Sequence, residues 1–62
     1  MTVKRLMLFI HPTQRVKIID KNNRVYFEGI WNEWYYFSDK YGALKVLNIL
    51  EQEHVINIWV EG

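Results

Sequence analysis

Residues 15–30 read RVKIIDKNNRVYFEGI, which is the stretch with the clearest strand pattern in the chain. Apolar and polar side chains alternate on both sides of Asn22-Asn23, which is the period of a strand with one buried face. Asparagine tolerates positive φ, so this dipeptide favours a two-residue type I′ turn. The stretch is therefore predicted to form a β-hairpin.

A turn at Asn22-Asn23 sets a register that is favourable on both faces of the hairpin. The predicted cross-strand pairs are Lys17 with Glu28, Ile18 with Phe27, and Ile19 with Tyr26. The first is an opposite-charge pair and the second is an apolar pair on the other face. Both kinds of pair stabilise antiparallel strands.

Residues 45–60 read KVLNILEQEHVINIWV and predict a second hairpin that turns at Gln52-Glu53. One face of it pairs Leu47 with Ile58 and Ile49 with Ile56. The other face pairs Val46 with Trp59, Asn48 with Asn57, and Leu50 with Val55. This second face is more hydrophobic than a solvated face is expected to be, which indicates a surface for a partner.

The N-terminal segment has the period of a helix rather than of a strand. Apolar residues recur with the i, i+3, i+4, i+7 spacing of one helix face, at Val3, Leu6, Met7 and Ile10. Phe9 joins that stripe, while Lys4, Arg5 and Leu8 fall on the opposite side. Thr2 is expected to cap the first turn, and Pro12 ends the helix.

The predicted fold is α+β and comprises a single domain, residues 1–62. A short helix at 2–10 packs on an antiparallel sheet of two β-hairpins, 15–30 and 45–60, because a helix this short is not stable alone. The alternative is a small all-β five-stranded barrel, which requires residues 3–10 to form a strand.

Composition excludes several classes of function. The chain has 62 residues and no cysteine, so it has no disulfide and no thiolate metal site. His11 and His54 are far apart in sequence, and no glycine-rich phosphate loop is present, so we expect no metal and no cofactor. The longest apolar run, Leu6 to Ile10, is too short to cross a membrane. These features predict a cytoplasmic protein that is not an enzyme.

The charge distribution offers one candidate surface. Residues 1–24 contain six of the eight basic residues and a single acid. A basic group near aromatic side chains is typical of proteins that bind single-stranded nucleic acid. The alternative function is therefore a small nucleic-acid-binding module that uses Lys4, Arg5, Arg15, Lys17, Lys21 and Arg24.

The most unusual stretch is residues 31–37, which read WNEWYYF. Its spacing is neither helical nor alternating, so it predicts an irregular crossover between the two hairpins. Trp and Tyr dominate the energetics of protein interfaces, but Trp31 and Trp34 are also suited to covering a small core. Tyr35 and Tyr36 are adjacent, so at least one of them is expected to be exposed.

The chain also resembles a group of known proteins, over nearly its whole length. The matching elements are Thr2-Val3-Lys4 with Leu6, then residues 16–20 (VKIID), residues 25–29 (VYFEG) and a closing hairpin rich in Ile and Val. It is similar to short, largely uncharacterised proteins encoded by bacteriophages and prophages of Gram-positive bacteria. The aromatic load of residues 31–37 and the run Met7-Leu8-Phe9 depart from that pattern. The resemblance implies a phage-derived accessory protein in a bacterial host cell and carries no activity.

Together these features predict a protein that acts by protein–protein interaction, as a homodimer or with another protein. Neither a membrane nor a small-molecule cofactor is expected as a partner. The residues predicted to form the contact are Trp59, Val46, Val55, Trp34, Tyr35, Tyr36 and Phe37.

Overall fold

The computed structural model describes residues 1–32 and 41–62, which form a short helical segment and a four-stranded sheet. Helix α1 and a 3₁₀ turn come first, followed by strands β1 to β4. Their bounds are α1 Val3–Leu6, 3₁₀ Met7–Phe9, β1 Arg15–Asp20, β2 Val25–Ile30, β3 Val46–Gln52 and β4 Val55–Val60. The predicted α+β fold is confirmed. The all-β barrel alternative is wrong, because residues 3–9 are helical and the sheet is open.

The strand order in the sheet is β2-β1-β4-β3. Each hairpin is antiparallel as predicted, but β1 and β4 are parallel, so the sheet is mixed rather than antiparallel throughout. The reason is the connection between the hairpins. Strand β2 ends at Ile30 and β3 begins at Val46, at the opposite end of the sheet, so β3 runs in the direction of β2 and β4 in the direction of β1.

The first hairpin confirms two predicted pairs and corrects the third. Lys17 pairs with Glu28 and Ile18 with Phe27, whereas Ile19 pairs with Val25. The predicted pair of Ile19 with Tyr26 is wrong because the strands shift register by one residue at this point, where Tyr26 forms a bulge.

The shift in the first hairpin originates in its loop, which has three residues rather than two. Asn23 has φ 65°, and the Asp20 N–H donates to the Arg24 carbonyl at 2.9 Å. Oδ1 of Asp20 accepts from the backbone N–H groups of Asn22 and Arg24, both at 2.8 Å. An aspartate side chain that holds the loop in this way favours a type I turn followed by a left-handed residue over the type I′ turn.

The second hairpin turns at Glu53-His54, with φ of 53° and 66°, and not at Gln52-Glu53 as predicted. Ile49 therefore pairs with Ile58 and Leu50 with Asn57. Both registers keep the same side chains on the same faces over this part of β3. Neither dipeptide is a preferred turn, so the sequence did not distinguish the two positions.

The core lies between the helical segment and one face of the sheet. Its buried side chains are Val3, Leu6, Val16, Ile18, Phe27, Trp31, Ile58 and Val60. Trp31 is one of its largest members, is 2% exposed, and donates from Nε1 to the Met7 carbonyl at 3.3 Å. Trp31 therefore belongs to the core. Neither helix in the described ranges is long and apolar enough to cross a membrane.

Two hydrogen bonds fix the first turn of the helix, one within the turn and one to a distant part of the chain. Oγ1 of Thr2 accepts from the Arg5 N–H at 3.3 Å, which confirms the predicted cap. The Val3 N–H donates to the Leu44 carbonyl at 3.0 Å, fixing the helix to the residues before β3. Phe9 was predicted to join the buried stripe but is 76% exposed. The winding changes from α to 3₁₀ at Met7, so a period of about 100° per residue no longer applies there.

Candidate protein-binding surface at strand β3

Strand β3 lies at an edge of the sheet and exposes apolar side chains on both of its faces. Leu47 is 56% exposed, Ile49 is 44% exposed and Leu50 is 51% exposed. Ile49 lies on the face that carries the core, whereas Leu50 lies on the outer face, the side of the sheet away from the helix. Apolar residues on both faces are typical of a strand in the middle of a sheet. Strand β3 therefore has the composition of an internal strand in an edge position.

The position of the turn after β3 determines which of its backbone N–H and C=O groups point away from β4. In an antiparallel pair, hydrogen-bonded and non-hydrogen-bonded positions alternate along the strands. The pair that flanks the two-residue turn, Gln52 with Val55, is hydrogen-bonded, and Leu50 with Asn57 is the next such pair. Ile49 and Glu51 therefore direct their N–H and C=O groups away from β4.

A side-chain contact agrees with this assignment. The Ile49 N–H donates to Oδ1 of the neighbouring Asn48 at 2.9 Å, and not to a carbonyl of β4. The Asn48 side-chain oxygen and a backbone carbonyl are both amide acceptors, so the carbonyl of a pairing strand can replace it.

The N-terminus limits the free part of this edge. Thr2 forms a β-bridge with Lys45, and the Val46 N–H donates to the Met1 carbonyl at 2.8 Å. Among the described residues, no strand pairs with the outer edge of β3 from 47 to 52. We call residues 47–52 the β3 edge.

The outer face next to this edge contains two of the predicted contact residues. Trp59 lies between Ile19 of β1 and Asn48 of β3, and its side chain is half-buried. Val55 is also half-buried, at the other end of β4. Both therefore lie on the same face of the sheet as Leu50, on either side of Asn57, which pairs with Leu50.

The prediction that Val46 lies opposite Trp59 is wrong. The register of β3 shifts between Val46 and Asn48, so Val46 pairs with Val60 and packs against the core. The remaining predicted contact residues lie outside the described ranges; they are Trp34, Tyr35, Tyr36 and Phe37.

A shallow polar hollow divides the apolar parts of the outer face. It has a volume of about 160 Å³ and is lined by Lys17, Glu28, Gln52, Glu53, Val55 and Asn57. Lys17 and Glu28, which bring opposite charges to this lining, are a cross-strand pair. The hollow is too small for an ordinary organic ligand, since such pockets occupy roughly 300–1,000 Å³.

The six basic residues of the alternative hypothesis lie in three separate places. Lys4 and Arg5 are exposed on the helix, on the core side of the sheet. Arg15 and Lys17 occupy the outer face, since they alternate with the buried side chains of β1. Lys21 and Arg24 are in the loop between β1 and β2, at the far end of β1 from Arg15. The fold therefore does not gather them into one groove.

Asp20 is the buried charged residue of the described chain, at 5% exposure. The N–H of Arg24 that donates to it is the main cause that lowers the pKa of its carboxyl, and burial opposes this effect. Tyr26 donates from its hydroxyl to Oδ2 of Asp20 at 3.3 Å, and burial raises the pKa of that hydroxyl. The Tyr26 ring stacks on Tyr41 with centroids 5.1 Å apart. Since these contacts fasten the loop after β1, we interpret the cluster as structural.

Metal-ligating side chains do not cluster in the described parts of the chain, where no three His, Cys, Asp or Glu side chains come together. A scan against protein-family models, a search of curated proteins and a search of solved structures each found no match to this chain.

Proposed function

We propose that this chain is a small accessory protein that acts by protein–protein contact, in the form of self-association. The observation that carries this proposal is the edge position of a strand whose apolar side chains, Leu47, Ile49 and Leu50, are exposed on both faces. Natural proteins usually protect such edges with charges, proline or a covering element, because an unprotected edge pairs with other chains. The β3 edge carries only one charged residue, Glu51.

The other edge of the sheet is less suited to this role. Strand β2 has Glu28 and Gly29 in its central part and is followed by the buried Trp31. Glycine lowers the stability of strand pairing, and the exposed large apolar side chains of β2, Val25 and Ile30, lie only at its two ends. We therefore assign the contact to β3 and to the adjoining outer face with Trp59 and Val55.

A bacteriophage or prophage origin, and with it the cytoplasm of a bacterial host cell, remains part of the proposal on the basis of the sequence resemblance alone. The nucleic-acid alternative receives no support from the geometry, because its basic residues are dispersed over the helix, the outer face and a loop.

Molar mass by light scattering, across a dilution series from high micromolar to sub-micromolar concentration, tests the proposal. The wild-type chain is expected to be dimeric at the high end and to dissociate on dilution, since a small interface gives a weak complex. Leu50→Lys places a charge in the contact and is expected to weaken association by about tenfold or more. Trp59→Ala tests the outer face and is expected to weaken association less.

Leu8→Lys is the matched control, because Leu8 is 80% exposed and lies in the 3₁₀ turn Met7–Phe9, which is not part of the sheet. It is expected to associate like the wild type. A wild-type chain that is monomeric at every concentration would contradict self-association. Equal weakening by the two lysine variants would contradict the assignment to β3.

A further inference from the structure

We infer that the partner of the β3 edge is a second copy of this chain, paired antiparallel about a two-fold axis that passes beside Leu50. This inference rests on the proposed function and specifies its geometry. In the resulting dimer, two four-stranded sheets join through β3 into one continuous sheet of both copies.

Backbone geometry restricts the register of such a pair. Only residues whose N–H and C=O groups point outward, Ile49 and Glu51, can form the new hydrogen-bonded positions. With Leu50 on the two-fold axis, Ile49 of each copy pairs with Glu51 of the other. The two symmetric pairs give four hydrogen bonds, and the Asn48 amide that accepts from Ile49 in the single chain is displaced.

The two ends of the β3 edge are consistent with the register that places Leu50 on the two-fold axis. Asn48 then lies opposite Gln52, and the second copy leaves the interface at its turn, Glu53-His54. This turn comes opposite Leu47, which is the point where Met1 begins to occupy the edge of the first copy. The free edge therefore ends where the pairing segment of the partner ends.

The side chains that meet in this register are compatible. Leu50 meets Leu50 of the other copy on the outer face, with one amide pair on each side of it, Asn48 with Gln52. Glu51 meets Ile49 and not the second Glu51, so no like charges are opposed. A strand of unrelated sequence is not expected to match both the length of the free edge and its alternation of apolar and amide side chains.

The absence of cysteine from the natural chain allows a direct test by cross-linking. The proposed register contains two kinds of non-hydrogen-bonded pair between the copies: Leu50 with Leu50, and Asn48 with Gln52. Their Cα atoms are about 4.5 Å apart, within the range that a disulfide spans. Leu50→Cys is therefore expected to form a covalent dimer under mild oxidation, with about tenfold more product than Gln52→Cys, whose own copies are too far apart.

A mixture of Asn48→Cys and Gln52→Cys provides the second measurement. It is expected to give the mixed disulfide, whereas neither variant alone cross-links. Ile49→Cys tests the neighbouring register, in which Ile49 lies on the two-fold axis. In the proposed register its copies are diagonal neighbours, about 7–8 Å apart and beyond disulfide reach.

These outcomes separate the inference from the proposed function. A wild-type dimer whose Leu50→Cys and mixed variants fail to cross-link would overturn edge pairing and leave self-association in place. A dominant Ile49→Cys product would overturn the register. A monomeric wild type would contradict the proposed function, which is self-association. Leu50, Asn48 and Gln52 are exposed, so the variants are expected to fold, which circular dichroism checks.

Discussion

At the scale of single residues, Asp20 makes the stability of the loop after β1 depend on pH. Two backbone N–H groups and the Tyr26 hydroxyl donate to its carboxylate. These contacts hold the pKa of Asp20 below its ordinary value of 3.8. The carboxylate therefore stabilises the fold fully above that value, and this contribution is lost as the pH falls through the folded-state pKa.

Asp20→Asn keeps an oxygen that can accept in the loop but removes the charge. We expect the variant to be less stable than the wild type at neutral pH, and the difference in free energy of unfolding to shrink at acid pH. Urea unfolding at neutral pH and well below pH 3.8 measures both. Tyr26→Phe, which keeps the aromatic ring beside Tyr41, is expected to show a smaller acid dependence than the wild type. A difference between Asp20→Asn and the wild type that is constant with pH would contradict this account.

At the scale of elements, the turn between β3 and β4 has an unfavourable local conformation. Glu53 and His54 both have positive φ, which costs energy for residues with a Cβ. Asn-Gly is the preferred dipeptide for this turn. The double variant Glu53→Asn/His54→Gly is therefore expected to raise stability by roughly 0.5–2 kcal/mol.

The urea midpoint of the double variant measures this gain, and Gln52→Gly is the matched control. Gln52 is the last residue of β3 and pairs with Val55, so glycine there is expected to lower stability. A stabilising Gln52→Gly together with a destabilising double variant would instead support the turn at Gln52-Glu53 that the sequence suggested.

Elements defined by local chemistry could be predicted from the sequence. The spacing of Val3 and Leu6, together with the Thr2 hydroxyl, defined the helix. The pairing of Lys17 with Glu28 defined the first hairpin. The position of a strand within the sheet is not a local property, and β3 shows this most clearly. Its apolar residues on both faces are typical of a covered strand, yet the fold places it at an edge.

The remaining differences also have physical causes outside the local pattern. Bulges near Tyr26 and Leu47 shift the register by one residue, and alternation alone contains no signal for them. The parallel pairing of β1 with β4 depends on the path between Ile30 and Val46, where the sequence has no clear period. Of the candidate site, Trp59 and Val55 could be predicted from the sequence, but the exposure of Leu47, Ile49 and Leu50 required the strand order.

At the scale of the whole molecule, a chain of 62 residues has little core from which to gain stability. Domains of this size bury only about 60% of the surface that the unfolded chain exposes. This chain has no disulfide to compensate. If two copies pair through β3, folding and association become linked, and stability depends on protein concentration.

The thermal midpoint is therefore expected to rise with concentration in the wild type. For a chain that stays dimeric until it unfolds, a hundredfold increase in concentration contributes about 1.4 kcal/mol per chain, or a rise in Tm of roughly 5–10 °C. A dimer that dissociates within this range shows a smaller rise. Leu50→Lys is expected to have a lower Tm that changes less with concentration, because the introduced charge weakens pairing of the edge. Leu8→Lys, whose charge lies in the 3₁₀ turn Met7–Phe9, is expected to retain the dependence. Thermal unfolding followed by circular dichroism at two concentrations measures all three. Identical, concentration-independent midpoints for the wild type and Leu50→Lys would mean that the exposed edge of β3 contributes nothing to the stability of the fold.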